Sequence, residues 1–274
     1  MFRILFLGDV IAKLGRHAIQ QGLPDLIDEH RPDVVIANVE NLSHGVGISP
    51  SSIKELQDAG VDAFTSGNHV WGNEAGTGLL DDPAYADKLV RPANMRRKDP
   101  GRGSTVFQTK NGLRIRLINL AGQLAMPADH PAENPFHTLD TLLEGTENDP
   151  KLVFVDFHAE MTSEKEALGH YADGRVTAVI GTHTHVQTSD QRILPQQTAY
   201  CTDAGRCGAR DSVLGFEKNS AVERFLKGGR IPYDLPEHGE AELDGVLIDA
   251  DPETGLATGI DRFRKIVVVE PKME

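Results

Sequence analysis

The chain is poor in cysteine, in tryptophan and in positive charge, and it has no long apolar run. Its 274 residues include two cysteines, Cys201 and Cys207. Two thiols cannot staple a chain of this size, and their C-x5-C spacing fits no usual zinc knuckle. A cysteine-phosphatase loop would place an arginine six positions after Cys201, and that position is Cys207. Cys207 is expected in a glycine-rich loop at 205–208. Lysine and arginine total 28 against 41 aspartate and glutamate, a net charge of −13. Gripping a long nucleic acid or an anionic membrane surface takes clustered cations, so neither partner is expected. A small phosphate ester senses only a local field and remains allowed. No apolar stretch nears the roughly 18 residues that span a bilayer. The apolar start at 1–7 meets Asp9 too soon for a signal-peptide core. A reduced, cytoplasmic protein is the expectation. Missing as well are G-x-x-x-x-G-K-[ST], G-x-S-x-G, H-E-x-x-H and G-x-G-x-x-G.

What is present suits a folded α/β chain. Hydrophobic residues make up 39% and charged residues 25%, enough to bury a core. Short apolar runs at 2–7, 34–37 and 63–66 read as buried strands. Helical spacing at 15–29, flawed by Pro24, and at 51–59, with Gly60 beyond it, fills the intervals. Strand, helix and strand at this spacing predict right-handed crossovers and a parallel sheet. Asn111-Gly112 between 104–109 and 113–120 predicts a hairpin. A proline-rich loop is read at 121–136. Strands follow at 152–157, 176–180, 245–248 and 266–269, with a helix at 163–171. A mixed sheet, or two packed sheets with helices outside, fits this pattern, and 1–274 is read as a single domain.

Five of the strands end in polar clusters. These are Gly8-Asp9, Asn38-Val39-Glu40-Asn41, Gly67-Asn68-His69, His158-Ala159-Glu160 and His183-Thr184-His185. In an open α/β sheet the carboxyl edge is where ligands bind. Asp9, Glu40, Asn41, Asn68, His158, His183 and His185 offer carboxylates, amide oxygens and imidazoles, which suit Mn, Fe or Zn. Seven ligands exceed one tetrahedral zinc and suit two ions about 3.5–4 Å apart sharing a carboxylate. A lone aspartate after a strand is usually a cap, and a lone histidine is usually a satisfied buried group. His183-x-His185 says more, because alternate positions of an extended segment face the same way. The joint pattern outweighs the bland readings. His69, not needed as a ligand, is left to protonate a leaving oxygen.

The order of these clusters resembles the calcineurin-like metallophosphoesterase superfamily, and more closely its YmdB-like bacterial branch. The resemblance implies a two-sheet sandwich flanked by helices, α/β and layered αββα, with a small cap-like elaboration, for which 121–136 is the candidate. It implies two divalent ions, Fe or Mn first and Zn as the alternative. Asp9 would hold metal one, with Asn41 serving where the superfamily often has a histidine at the position of Ile11. Glu40 would bridge. Asn68, His158 and His183 would hold metal two, His185 metal one, and His69 would be catalytic. The implied reaction is hydrolysis of small phosphodiesters such as 2′,3′- or 3′,5′-cyclic nucleotides by a metal-bridging hydroxide. Two alternatives stay open: a phosphomonoesterase, and a metal-dependent nucleotide-sensing regulator. Substrate-binding residues and oligomeric state, monomer or homo-oligomer, are unassigned. Lesser candidates are the 44–47 turn for backbone approach to a ligand, Trp71 for stacking or packing, and Arg206 and Arg210 for phosphate or a solvated surface.

Overall fold

The computed structural model describes residues 1–95, 99–127, 131–145, 149–228 and 233–271. In chain order the strands of the first half are β1 (Phe2–Leu7), β2 (Asp9–Val10), β3 (Val34–Asn38), β4 (Ala63–Thr65), β5 (Ser104–Gln108) and β6 (Arg114–Ala121). Those of the second half are β7 (Leu152–His158), β8 (Ala178–Thr182), β9 (Arg192–Ile193), β10 (Ala199–Cys201), β11 (Arg206–Ala209), β12 (Gly239–Ala250) and β13 (Ala257–Val269). The helices are α1 (Ala12–His30), α2 (Pro50–Ala59), α3 (Glu74–Thr77), α4 (Pro135–Leu143), α5 (Thr162–Ala172) and α6 (Lys218–Lys227).

Period-two sorting of apolar side chains builds the layers. Phe2, Ile4 and Phe6 of β1 enter one buried cluster, shared with Phe154 and Ile180 of the other sheet. Leu5 and Leu7 enter another, shared with Leu14, Ile19 and Leu23 of α1. In β7 the alternation repeats: Leu152 and Phe154 face the shared cluster, whereas Val153, Val155 and Phe157 pack with Leu139 of α4 and Leu168 of α5. Strands apolar on both faces need cover on both, and the result is two sheets face to face with helices outside. One sheet runs β2-β11-β12-β1-β3-β4, with β13 paired to β12, and the other runs β5-β6-β7-β8-β10-β9. β1, β3 and β4 are parallel, with Leu5 opposite Val35 and Ala37 opposite Phe64. β6, β7 and β8 are parallel in the second sheet. The carboxyl ends of both parallel sets therefore supply the residues singled out above.

Local chemistry explains most boundaries. Ser49 and Ser52 form a reciprocal capping box at the start of α2, Pro50 takes its first position, and Gly60 closes it at φ 111°. Gly112, at φ 87°, turns the expected hairpin between β5 and β6. Two expectations are corrected. The stretch read as a loop to 136 instead starts α4 at Pro135, because Asn134 caps the Phe136 and His137 amides. Cys207 lies inside β11, paired with Val10 and Leu243, not in a glycine-rich loop. β12 and β13 are far longer than the apolar runs at 245–248 and 266–269 suggested, since β13 alternates Arg262, Arg264 and Ile266 toward its more open face. No helix among the described residues is long and apolar enough to cross a membrane.

Phe154 sits between the sheets with its ring 4.9 Å from that of Phe6. Replacing Phe154 with alanine is expected to cost about 3–5 kcal/mol by opening a cavity there, read as a lower midpoint in urea unfolding.

Candidate metal centre

Asp9, Glu40, Asn41, Asn68, His158 and His185 are all buried, and His69 and His183 are partly so. The ligand atoms of Glu40, His158 and His183 lie within 4.8 Å of one another, and so do those of Asp9, Glu40 and His185. Glu40 belongs to both groups. Its Oε2 stands 3.1 Å from His158 Nε2 and accepts the His69 backbone N–H at 3.0 Å. His158 Nε2 is 3.0 Å from His183 Nδ1. Asp9 Oδ2 accepts the His183 N–H at 3.1 Å, while Asp9 Oδ1 lies 3.8 Å from His158 Nδ1 and 3.9 Å from His185 Nε2.

The donor set fits divalent ions on a specific observation. Asp9 Oδ1, Asn41 Oδ1 and both amide atoms of Asn68 are buried without a hydrogen-bond partner among the described residues. A buried orphan of this kind costs about 1–3 kcal/mol, so four in one site mark a place built for another ligand. Imidazole, carboxylate and amide oxygen together suit borderline divalent cations. Gly67 shows how tightly the cluster is drawn. A Cβ there would stand 2.2 Å from Glu40 Oε2 and 2.3 Å from His158 Nε2.

Neighbouring groups fix these side chains in place. His158 Nδ1 meets Thr182 Oγ1 at 2.9 Å, and that hydroxyl donates to Asp156 Oδ1 at 2.7 Å. Asp156 Oδ2 also accepts from Thr65 Oγ1 and from Asn38 Nδ2. Asn38 in turn accepts the Glu40 N–H at 3.1 Å, which sets the turn after β3. His185 Nδ1 lies 3.0 Å from the Leu214 carbonyl, so it donates there and leaves Nε2 with its lone pair toward Asp9. The 183–185 segment is not extended, contrary to the expectation from spacing. His183 has φ 97° and His185 φ 60°, conformations that cost on the order of 1–3 kcal/mol each. Asp203 holds them: its Oδ2 accepts the Thr184 N–H at 3.1 Å and hydroxyl at 2.7 Å, and pairs with the buried Lys165 at 2.8 Å.

Burial pushes the Asp9 carboxyl well up. Burial acts the same way on Glu40, but the His158, His69 and His183 rings outweigh it and hold that carboxyl low. For His158 burial opposes the charge, and the Glu40, Asp9 and Asp156 carboxylates outweigh it, raising the imidazolium to about 9. Burial and then the His158 charge drive His183 down to about 3. Burial also lowers His185.

A cavity of about 360 Å³ opens at this cluster, lined by Glu40, Asn41, His69, His183 and His185 and by His44, Gly45 and Val46 of the 44–47 turn. Its remaining wall, Phe216, Tyr233 and Leu235, had no signal in the sequence, since it comes from loops without a motif. Glu160, whose Oε2 is 3.2 Å from His183 Nε2, was not singled out as an orienting group either. Trp71 is not among the cavity-lining residues; it packs against the buried cluster under α1 and α2. Arg206 does not face the cavity to hold phosphate. It is buried, donates to the carbonyls of His185 and Ala209, and pairs with Glu242 at 2.6 Å. Arg210 pairs with Glu240 at the surface. Of the stretch read as a cap, 128–130 lie outside the described residues, and Gln123 and Leu124 donate backbone N–H groups to Glu164.

A metal ion taken up at His158 would displace a proton that the Glu40, Asp9 and Asp156 carboxylates hold on the ring up to about pH 9. Affinity of the chelator-stripped protein for Mn²⁺ is therefore expected to rise with pH toward 9, with net proton release on binding at pH 7. Calorimetry in buffers of different ionisation enthalpy measures both.

The family profile for YmdB-like proteins matches residues 5–263. The chain is 42% identical over 261 residues to a 2′,3′-cyclic-nucleotide 2′-phosphodiesterase of Bacillus subtilis (strain 168), covering 95% of this chain and 96% of that protein. It is 39% identical over 277 residues to a putative phosphatase/phosphodiesterase of Mycoplasma pneumoniae, covering 98% and 95%. Among solved structures, a novel phosphatase from Mycoplasma pneumoniae superposes with a TM-score of 0.89 at 36% identity, covering 99% of this chain and 95% of that one. A hypothetical protein from Thermus thermophilus gives 0.87 at 38% identity, covering 97% and 99%. With candidate metal-binding side chains from both sheets meeting at Glu40 and a sequence match over nearly its whole length, the chain belongs to the YmdB-like family of the metallophosphoesterases.

Proposed function

We propose that the protein is a metal-dependent phosphodiesterase acting on small diesters such as 2′,3′- or 3′,5′-cyclic nucleotides. The observation that carries this is the pair of ligand groups sharing one carboxylate, Glu40, at the floor of a cavity. Two ions are assigned, Fe or Mn first: one to Asp9, Asn41, Glu40 and His185, the other to Glu40, Asn68, His158 and His183. When bound, such ions supply a hydroxide nucleophile and charge that stabilises the phosphoryl transition state. Both sheets contribute ligands, which supports one catalytic domain over the whole chain.

His69 is the assigned general acid. Its ring lines the cavity, and its backbone N–H is fixed on Glu40 at 3.0 Å. From there it can deliver a proton to the oxygen that leaves phosphorus as the diester opens. The net charge of −13 favours a small substrate held in the pit over a polymer spread on the surface. A monoesterase is the second reading, favoured by the word phosphatase in the names of the Mycoplasma relatives.

Hydrolysis of bis-p-nitrophenyl phosphate is expected with Mn²⁺ and not with EDTA. His69→Ala is expected to lower kcat by about 10²–10⁴, and Asn68→Ala to weaken metal retention. Turnover indifferent to EDTA and to both substitutions would reject the proposal. A higher kcat/KM for p-nitrophenyl phosphate than for the diester would favour the monoesterase.

A further inference from the structure

The candidate metal-binding side chains stand on two sheets, so their spacing depends on what ties the sheets together at that edge. Asp9 opens β2 in the first sheet, and His183 and His185 follow β8 in the second. One bond joins the halves directly, from the His183 N–H to Asp9 Oδ2 at 3.1 Å. The segment 202–205 joins them as well. It leaves the second sheet at the end of β10 and enters the first at Arg206, the start of β11.

Contacts from this crossing reach both halves. Toward the second sheet, Asp203 Oδ2 accepts the Thr184 N–H at 3.1 Å and the Thr184 hydroxyl at 2.7 Å, and Arg206 donates to the His185 carbonyl at 2.9 Å. Toward the first, the Gly205 carbonyl accepts the Asp9 N–H at 3.1 Å. Asp203 shapes that end too, because its Oδ1 accepts the Gly205 N–H at 2.9 Å and holds Gly205 at φ 87°. The approach is close enough to need glycine at position 8: a Cβ there would stand 2.0 Å from the Gly205 carbonyl oxygen. Lys165 of α5 pairs with Asp203 Oδ2 at 2.8 Å, and both residues are buried. An ion pair of this kind adds little net stability over apolar groups of similar volume. What its directed bonds add is a fixed orientation of the Asp203 carboxylate.

We infer that Asp203, oriented by Lys165, is a positioning residue that sets Asp9 of one sheet against His183 and His185 of the other, and so tunes how tightly the site holds its metal. Asp203 is buried and does not line the cavity. It acts through the backbone amides of Thr184 and Gly205 and the Thr184 hydroxyl. The inference rests on the metal-dependent reading of the site. His183 and His185 sit at positive φ, a strained backbone that relaxes once Thr184 is released. Without the Asp203 bonds, the 183–185 turn and the Asp9 carboxylate no longer keep a common geometry. Bonds that orient metal-binding side chains are typically worth about 10–100-fold in metal affinity or activity.

The test measures Mn²⁺ binding to chelator-stripped protein by calorimetry, and turnover of bis-p-nitrophenyl phosphate at saturating Mn²⁺. Both are read under conditions where each protein is fully folded by circular dichroism. Asp203→Asn combined with Lys165→Met leaves no ion of the pair buried alone and keeps the side-chain volumes close. This double variant is expected to raise the Mn²⁺ Kd about 10–100-fold and to lower kcat by a similar factor. Thr184→Val removes one bond to Asp203 and leaves the Lys165–Asp203 pair whole. It is expected to shift both values the same way by less, and it decides the question if the double variant does not fold. Leu139→Ala, in the apolar cluster that α4 shares with α5, is the control. It lowers the urea midpoint and leaves Kd and kcat unchanged. An unchanged Mn²⁺ Kd in the double variant, or in Thr184→Val where the double variant does not fold, would overturn the positioning role. Wild-type protein that binds no Mn²⁺ rejects the metal reading and the inference with it. Wild-type protein that binds Mn²⁺ without hydrolysing the diester rejects the phosphodiesterase alone, and the Kd comparison still decides the role of Asp203.

Discussion

Two like-charged carboxylates, Asp9 and Glu40, are buried in one site, and much of the surrounding structure serves to make that tolerable. A buried unpaired carboxylate costs several kcal/mol. Glu40 is held ionised by a ring of histidines and by the His69 backbone N–H, whereas Asp9 is pushed toward its protonated form. Divalent ions would relieve the same repulsion more completely. A shared carboxylate between two ligand groups is the arrangement that lets two dications sit close together.

The candidate site draws on both sheets of the sandwich. Asp9 opens β2 just after β1, Glu40 and Asn68 follow the ends of β3 and β4, His158 ends β7, and His183 follows β8. Phe6 and Phe154 lock the sheets together just behind those ends. Strain is concentrated in the 183–185 turn and held from beneath by Asp203, itself paired with Lys165. Removing either member of that pair would strand a buried charge, so this support is costly to lose.

Legibility in the sequence followed chemistry type. The runs at β1, β3 and β7 are apolar on both faces and stand out, as do ligand-type residues at their ends. Asn41 and Asn68 were readable because amides directly after strands sit beside a carboxylate and a histidine. The rest depended on long-range pairing. Arg206 looks like a phosphate holder until Glu242, in the register neighbour β12, is brought against it. Phe216 and Tyr233 belong to irregular loops, where no period marks a face, and only the folded chain brings them to the same cavity as His69. The turn at 183–185 reads as extended because positive φ leaves no trace in a Thr-His-Thr-His string.

The central claim is that Glu40 lies between two ions. Anomalous diffraction at the manganese edge from Mn²⁺-loaded crystals tests it directly. The account predicts two peaks about 3.5–4 Å apart, one beside Asp9 and His185, the other beside His158 and His183, with Glu40 reaching both. A single peak, or peaks that leave Glu40 uncoordinated, would contradict it.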